Sequence, residues 1–157
     1  MQDIVFGEYQ EKDATEVTRF LRKIFTEMEW TVAPEDHIDE PTTYFYKHHG
    51  FLLVAERNEK VIGTAGILPF KKSAILKRFY IDQAYRGKGI SKDLFAVVKN
   101  TVKDKGYTKI ILDVGVTNIR ARKFYEKLGF MLTTHPLYDL SVSSLNIGEF
   151  CFYQLDL

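Results

Sequence analysis

Apolar positions along this chain fall into short β-type runs and longer stripes of helical period, and their order predicts the elements. Ile4 to Tyr9 alternates weakly, as a first strand does. Val17, Phe20, Leu21, Ile24, Phe25 and Met28 then recur at three- and four-residue intervals, one face of a helix, behind Asp13 and Glu16 at capping-box spacing. Trp30 to Asp39 contains Pro34 and has no period, so it reads as a loop, and Pro41 opens a short helix that ends near Gly50. Phe51 to Glu56 and Val61 to Leu68 flank Arg57-Asn58-Glu59-Lys60 as the arms of a hairpin. Pro69 breaks the second arm, and Ala74 to Ile81 makes the next strand.

Ile90, Leu94, Phe95, Val97, Val98 and Val102 mark a second helix, ended by Gly106, and Thr108 to Val114 is a run of mostly branched apolar residues, as in a buried strand. A helix between strands 74–81 and 108–114 is the crossover that a parallel pair requires. A third helix starts at an Asn118 cap, carries Ala121, Phe124, Tyr125 and Leu128 on its apolar face, and stops at Gly129. Met131 to His135 and Phe150 to Leu155 complete the sheet, with Leu137 to Gly148 as an irregular excursion between them. The expected fold is α/β, with antiparallel and parallel strands in one central sheet flanked by helices.

Composition narrows the setting. The 157 residues, 45% hydrophobic and 14% aromatic, suffice for one core, and no linker, repeat or low-complexity stretch divides them, so 1–157 reads as a single domain. The 22 basic and 21 acidic residues leave a formal charge of +1, no footprint for nucleic acid or for an anionic membrane surface. No apolar run approaches ~18 residues and no signal-peptide pattern opens the chain, so a soluble, cytoplasmic protein is expected. Cys151 is the sole cysteine, which agrees with a reducing compartment and reads as a small apolar strand residue. His48 and His49 read as solvated, and no metal-ligand spacing stands out.

The candidate chemistry starts at Arg86-Gly87-Lys88-Gly89-Ile90-Ser91, a glycine loop between a strand and a helix start. Backbone N–H groups there lack intrahelical partners and the helix dipole favours negative charge, so this order makes an anion site. The phosphate loop of nucleotide triphosphatases needs Gly, four residues and Gly-Lys-Ser/Thr, a spacing this chain lacks. A dinucleotide fingerprint would start at Gly87, but Lys92 holds its third glycine position. Asp113 lies at a suitable distance downstream for that reading; the antiparallel context before the loop speaks against it.

Arg86, Gly89 and, with a departure from the usual last residue, Ser91 match the loop Arg/Gln-x-x-Gly-x-Gly/Ala. Asn118, Ala121, Phe124, Tyr125, Gly129 and Phe130 match Asn-x-x-Ala-x-x-Phe/Leu-Tyr-x-x-x-Gly-Phe. With these two motifs in this order, the chain resembles the GCN5-related N-acetyltransferase (GNAT) family from Val61 to about Phe130. The resemblance implies the acyl-CoA N-acyltransferase fold with acetyl-CoA as co-substrate. Strands 74–81 and 108–114 would splay apart, and the pantetheine arm would pair with main chain at Phe79, Tyr80 and Ile81. The pyrophosphate would lie on the N–H groups of Arg86, Gly87, Lys88, Gly89, Ile90 and Ser91, with side chains of Arg86, Lys88 or Lys92 in reach of phosphate. Asn118 and Tyr125 complete the implied cofactor site.

The implied chemistry is direct attack of a primary amine on the thioester. A backbone N–H near Tyr80 or Ile81 would stabilise the oxyanion, and Tyr125 would protonate the leaving thiolate. Many relatives carry a glutamate base on the strand before the loop, but Ala74 to Arg78 holds no carboxylate. Asp113 matches instead the glutamate of relatives resembling the ribosomal-protein N-terminal acetyltransferases, one methylene shorter and so acting through a bridging water. It reads equally as a strand-end aspartate capping the next loop. Glu27, Glu29, Glu35, Asp36, Asp39 and Glu40, with His37 among them, give the segment after the first helix an acidic tone that would favour small cationic amines. The expected partner is a small-molecule or peptide amine, with a homodimer left open. The alternatives are a protein N-terminal acetyltransferase and an acyl-CoA-binding regulatory module without turnover.

Overall fold

A computed structural model describes residues 3–34, 37–40, 42–133 and 150–157. Its elements are β1 (Val5–Glu8), α1 (Ala14–Glu27), β2 (Phe51–Arg57), β3 (Lys60–Phe70), β4 (Ser73–Ile81), α2 (Ile90–Asp104), β5 (Lys109–Gly115), α3 (Ile119–Lys127), β6 (Met131–Thr133) and β7 (Phe150–Asp156). They build a seven-stranded sheet in the order β1-β2-β3-β4-β5-β7-β6. Every neighbouring pair is antiparallel except β4 and β5, which run parallel across the α2 crossover as the sequence predicts.

Strand alternation sends side chains to two apolar layers. Ile110 and Leu112 of β5 pack with α2 residues Leu94 and Val98 and with Tyr125 and Phe130, whereas Ile111 packs with Ile75 and the α1 stripe Val17, Phe20, Leu21, Ile24 and Phe25. Met28, the last member of that stripe, is the C-cap of α1 and stays 38% exposed. Phe45 lies against β3 at Gly66, where an added Cβ would collide with its ring. No helix among the described residues is long and apolar enough to cross a membrane.

Three local expectations are corrected. The capping box sits one turn earlier, around the short turn Glu11–Asp13: Asp13 Oδ2 accepts from the Gln10 N–H at 2.8 Å, while Glu16 pairs with Arg19 at 3.0 Å. Pro69 does not break its strand. It lies beyond Ile67, the last β3 residue paired with β2, so its missing N–H removes no ladder bond on that side. The two-residue turn Lys71-Lys72, with Lys71 at φ +55°, then reverses the chain into β4. The short helix is a π turn over Thr42–Tyr46, which stops before Gly50, and Pro41 lies outside the described residues. So do His135 and the excursion Leu137 to Gly148.

Candidate active site

The parallel pair β4 and β5 keeps company only at its start. Ser73, Ala74 and Ile75 face Lys109, Ile110 and Ile111; beyond them β4 runs on to Ile81 and β5 to Gly115 without pairing with each other. A bulge bends β4 at this point. Thr64 pairs with Tyr80 and Gly66 with Lys77, so Ala65 alone stands opposite Arg78 and Phe79. Arg78 takes a left-handed φ of +53°, which is unfavourable by roughly 1–2 kcal/mol for an L-residue. The hydroxyl of buried Thr64 donates to the Arg78 carbonyl at 2.6 Å and holds the bulge in place.

Past the bulge, Asp82 N–H donates to the Ile62 carbonyl at 2.8 Å. Alternation along an extended strand turns the Tyr80 N–H toward β3 as well and the Ile81 N–H into the gap between β4 and β5. Of the two residues named from the sequence as an oxyanion donor, Ile81 therefore has the suitable direction. Their neighbours' side chains line opposite walls. Phe79 stacks on Phe124 at 5.8 Å and lies 6.3 Å from Tyr125, while Tyr80 meets Trp30 at 6.1 Å.

Tyr125 is 8% exposed, and burial, then the nearby Tyr80 and Asp113, push its phenol well above the ordinary tyrosine range. It is a proton donor throughout the physiological range. Asp113 shares its row on β5 with Ile111, and its Oδ1 meets Lys77 Nζ at 2.9 Å with side chains 5% and 12% exposed. The sequence reading missed this ammonium, because Lys77 looks like an ordinary strand-surface lysine until the bulge and the parallel pairing bring it beside β5.

At the far end of β4, the turn Gln83–Tyr85 leads into the glycine loop, and Asp82 Oδ1 accepts from the Ala84 N–H at 3.0 Å. Gly87 and Gly89 have φ of +75° and +83°, and an added Cβ at either would meet nothing within 4 Å. Glycine is demanded by backbone conformation, and the space beside it is open to a ligand. Gly89 is the N-cap of α2, whose first turn is anchored by buried Ile90 while Ser91 is half-buried. Asn118 caps α3, accepting from the Ala121 N–H at 3.3 Å.

Two expectations about charge change. The Arg86 guanidinium does not point out to solvent: Nε donates to the Ile81 carbonyl at 2.9 Å, and Nη1 and Nη2 hold both carboxylate oxygens of Glu27, the latter at 2.9 Å. Lys88 and Lys92 are exposed, with Lys88 Nζ 5.7 Å from the Tyr85 ring. The acidic tone after α1 is partly cancelled in space, because Arg86 neutralises Glu27 and Arg22 binds Asp39 at 2.9 Å. Arg78 adds a cation on that side, over Phe25 at 5.1 Å and Tyr44 at 5.4 Å, near His37, whose ring is 6.0 Å from that of Tyr44. Glu35 and Asp36 lie outside the described residues.

Comparison with known proteins places this geometry. Residues 16–130 match the model of the acetyltransferase (GNAT) family. N-acetyltransferase 8 of Homo sapiens is 31% identical over 109 residues, 66% of this chain and 48% of that protein; the chain spans about half the length of the curated relatives it matches. An acetyltransferase of the GNAT family from Staphylococcus aureus Mu50 superposes with a TM-score of 0.84 at 24% identity, over 99% of both chains. PaiA N-acetyltransferase from Thermoplasma acidophilum, solved in complex with coenzyme A, superposes with a TM-score of 0.72 at 17% identity, again over 99% of both.

Proposed function

Because this chain belongs to the acetyltransferase (GNAT) family, we propose that it is an N-acetyltransferase that moves an acetyl group from acetyl-CoA directly to a primary amine of a small molecule or peptide. The observation that carries the reading is the parallel pair that parts after Ile75 and Ile111, with a glycine loop and helix start at the end of the open strand. One domain, 1–157, does this in the reading proposed here. A cytoplasmic setting belongs to it too, resting on Cys151, which has no second thiol in the sequence to pair with.

The residues present suit coenzyme A. The N–H groups from Gly87 to Ser91 bind the pyrophosphate, since two glycines at positive φ leave that backbone bare and the α2 dipole favours the charge. The Arg86 N–H is donated instead to the Gln83 carbonyl at 3.3 Å. The β4 edge at Phe79, Tyr80 and Ile81 takes the pantetheine arm as an added strand, and Asn118 shapes the α3 end of the same cleft by capping it. Acetyl-CoA supplies the thioester. The Ile81 N–H polarises its carbonyl, and Tyr125, kept protonated by burial, donates to the departing sulfur. Asp113, oriented by Lys77, receives the amine's proton through a water.

Coenzyme A at about a hundred times its dissociation constant should stabilise the folded protein by about 2.7 kcal/mol, a clear rise in melting temperature. Gly89→Val forces a β-branched residue into φ +83° and turns a side chain into the ligand's space, so the rise should vanish. Differential scanning fluorimetry of both proteins with and without coenzyme A makes the test. An undiminished rise in the variant, or a rise with NAD in place of coenzyme A, would overturn the assignment of the loop.

A further inference from the structure

Two ion pairs fasten the C-terminal half of α1 to the segment joining β4 to α2. Lys23 Nζ lies 2.7 Å from Asp82 Oδ2, and Glu27 grips Arg86 through both carboxylate oxygens. Lys23 and Glu27 stand four apart, one turn along the same helix face, and their partners Asp82 and Arg86 are also four apart in the opposite order of sign. Each partner is bound to main chain as well: Asp82 to the Ala84 N–H and Arg86 to the Ile81 carbonyl. The grip of α1 is thereby passed to the backbone that begins the glycine loop.

The two pairs are unequal. The Lys23 side chain is 51% exposed, so its single bond is screened by water. Glu27 and Arg86 are 22% and 20% exposed and meet fork to fork, the geometry in which a guanidinium–carboxylate pair is strongest and most directional. Arg86 is also the first residue of the loop motif, where its charge invites assignment as a phosphate ligand. Its five N–H donors are largely committed elsewhere: Nε to Ile81, and both terminal nitrogens to Glu27.

We propose that Glu27 is a positioning residue for the phosphate-binding loop: it holds the Arg86 side chain on α1 and, through the Arg86 bond to Ile81, sets where the loop's N–H groups and the end of β4 stand. This rests on the coenzyme A reading of the loop. It makes Arg86 a strut whose side chain never reaches the phosphates, and it ties the placement of the phosphate loop to the helix that leads into the Trp30 wall of the gap.

The two roles for Arg86 predict opposite signs for one substitution. If the guanidinium were a phosphate ligand restrained by Glu27, Glu27→Ala would release it and tighten coenzyme A. For a strut, Glu27→Ala should weaken coenzyme A about tenfold, Arg86→Ala should do the same, and the double variant should be no worse than either, as a shared interaction requires. Glu27→Gln, which keeps the shape and one acceptor, should fall between wild type and Glu27→Ala and covers the case in which the alanine variant fails to fold. The measurement is titration calorimetry with coenzyme A, backed by steady-state kinetics in which the KM for acetyl-CoA rises while the acceptor KM holds. Wild-type protein that binds no coenzyme A would sink the reading of the loop itself. Wild-type protein that binds it, beside a Glu27→Ala or Glu27→Gln variant that binds equally or more tightly, or strictly additive effects of Glu27 and Arg86, would overturn the strut.

Discussion

Lys77→Met should destabilise the folded protein by about 3–5 kcal/mol, the range expected when one member of a buried ion pair is removed. The ammonium lies 2.9 Å from Asp113 Oδ1, and the carboxylate it leaves behind is 5% exposed, too deep for water to replace the lost charge fully. Replacing both residues with apolar ones of similar size, Lys77→Met with Asp113→Leu, should recover most of the loss, since the desolvation of two charges disappears with their attraction. Urea denaturation of the single and double variants measures both. A Lys77→Met protein of unchanged midpoint would mean that the pair is open to solvent and contributes as little as a surface pair. The same substitution separates folding from chemistry: the double variant should fold and bind coenzyme A yet have lost the group that receives the amine's proton.

Tyr125→Phe should lower kcat about a hundredfold while leaving coenzyme A affinity nearly intact, because only the hydroxyl is lost and the ring keeps its contacts with Phe79, Phe124 and Phe130. Burial holds the phenol protonated, so the wild-type rate should not fall on the alkaline side before about pH 10. Asp113→Asn should instead depress the rate mostly at low pH, where the amine most needs help in losing its proton. The raised Tyr125 value also couples to stability. Its contribution is complete below the unfolded tyrosine value of ~10 and is lost as pH rises past it toward the folded value, so Tyr125→Phe should soften alkaline unfolding. Stopped assays over pH with thiol release as the readout decide the first point. A Tyr125→Phe enzyme with the wild-type rate and profile would leave the thiolate to be protonated by solvent.

Much of this was legible in the order of residues, for a physical reason that shows element by element. The α1 stripe from Val17 to Phe25, the α2 stripe from Ile90 to Val102 and the branched run in β5 are local periodicities, and burial of one face acts on residues within a turn or two of each other. Gly89 and Gly129 sit at positive φ, which narrows the choice of residue nearly to glycine, so their positions announce the start of α2 and the end of α3. The parallel pairing of β4 with β5 followed from a helix-containing crossover. The family resemblance rested on the same kind of signal, two short motifs whose residues are each constrained by their own backbone.

What the tertiary structure alone decided lies between residues distant in sequence. Lys77 and Asp113 are 36 positions apart, and Glu27 and Arg86 are 59 apart. Arg86 read as a phosphate ligand and Glu27 as part of an acidic acceptor wall until packing of α1 on the sheet put each in reach of the other. The bulge at Arg78 has no signature in residue type, because it is held by a hydroxyl on β3 and by the register of two strands. Periodicity determines which face of an element is buried; it carries no information on which charged side chain of one element meets which of another. That choice is made by sheet order, register and helix placement, which depend on the whole core at once.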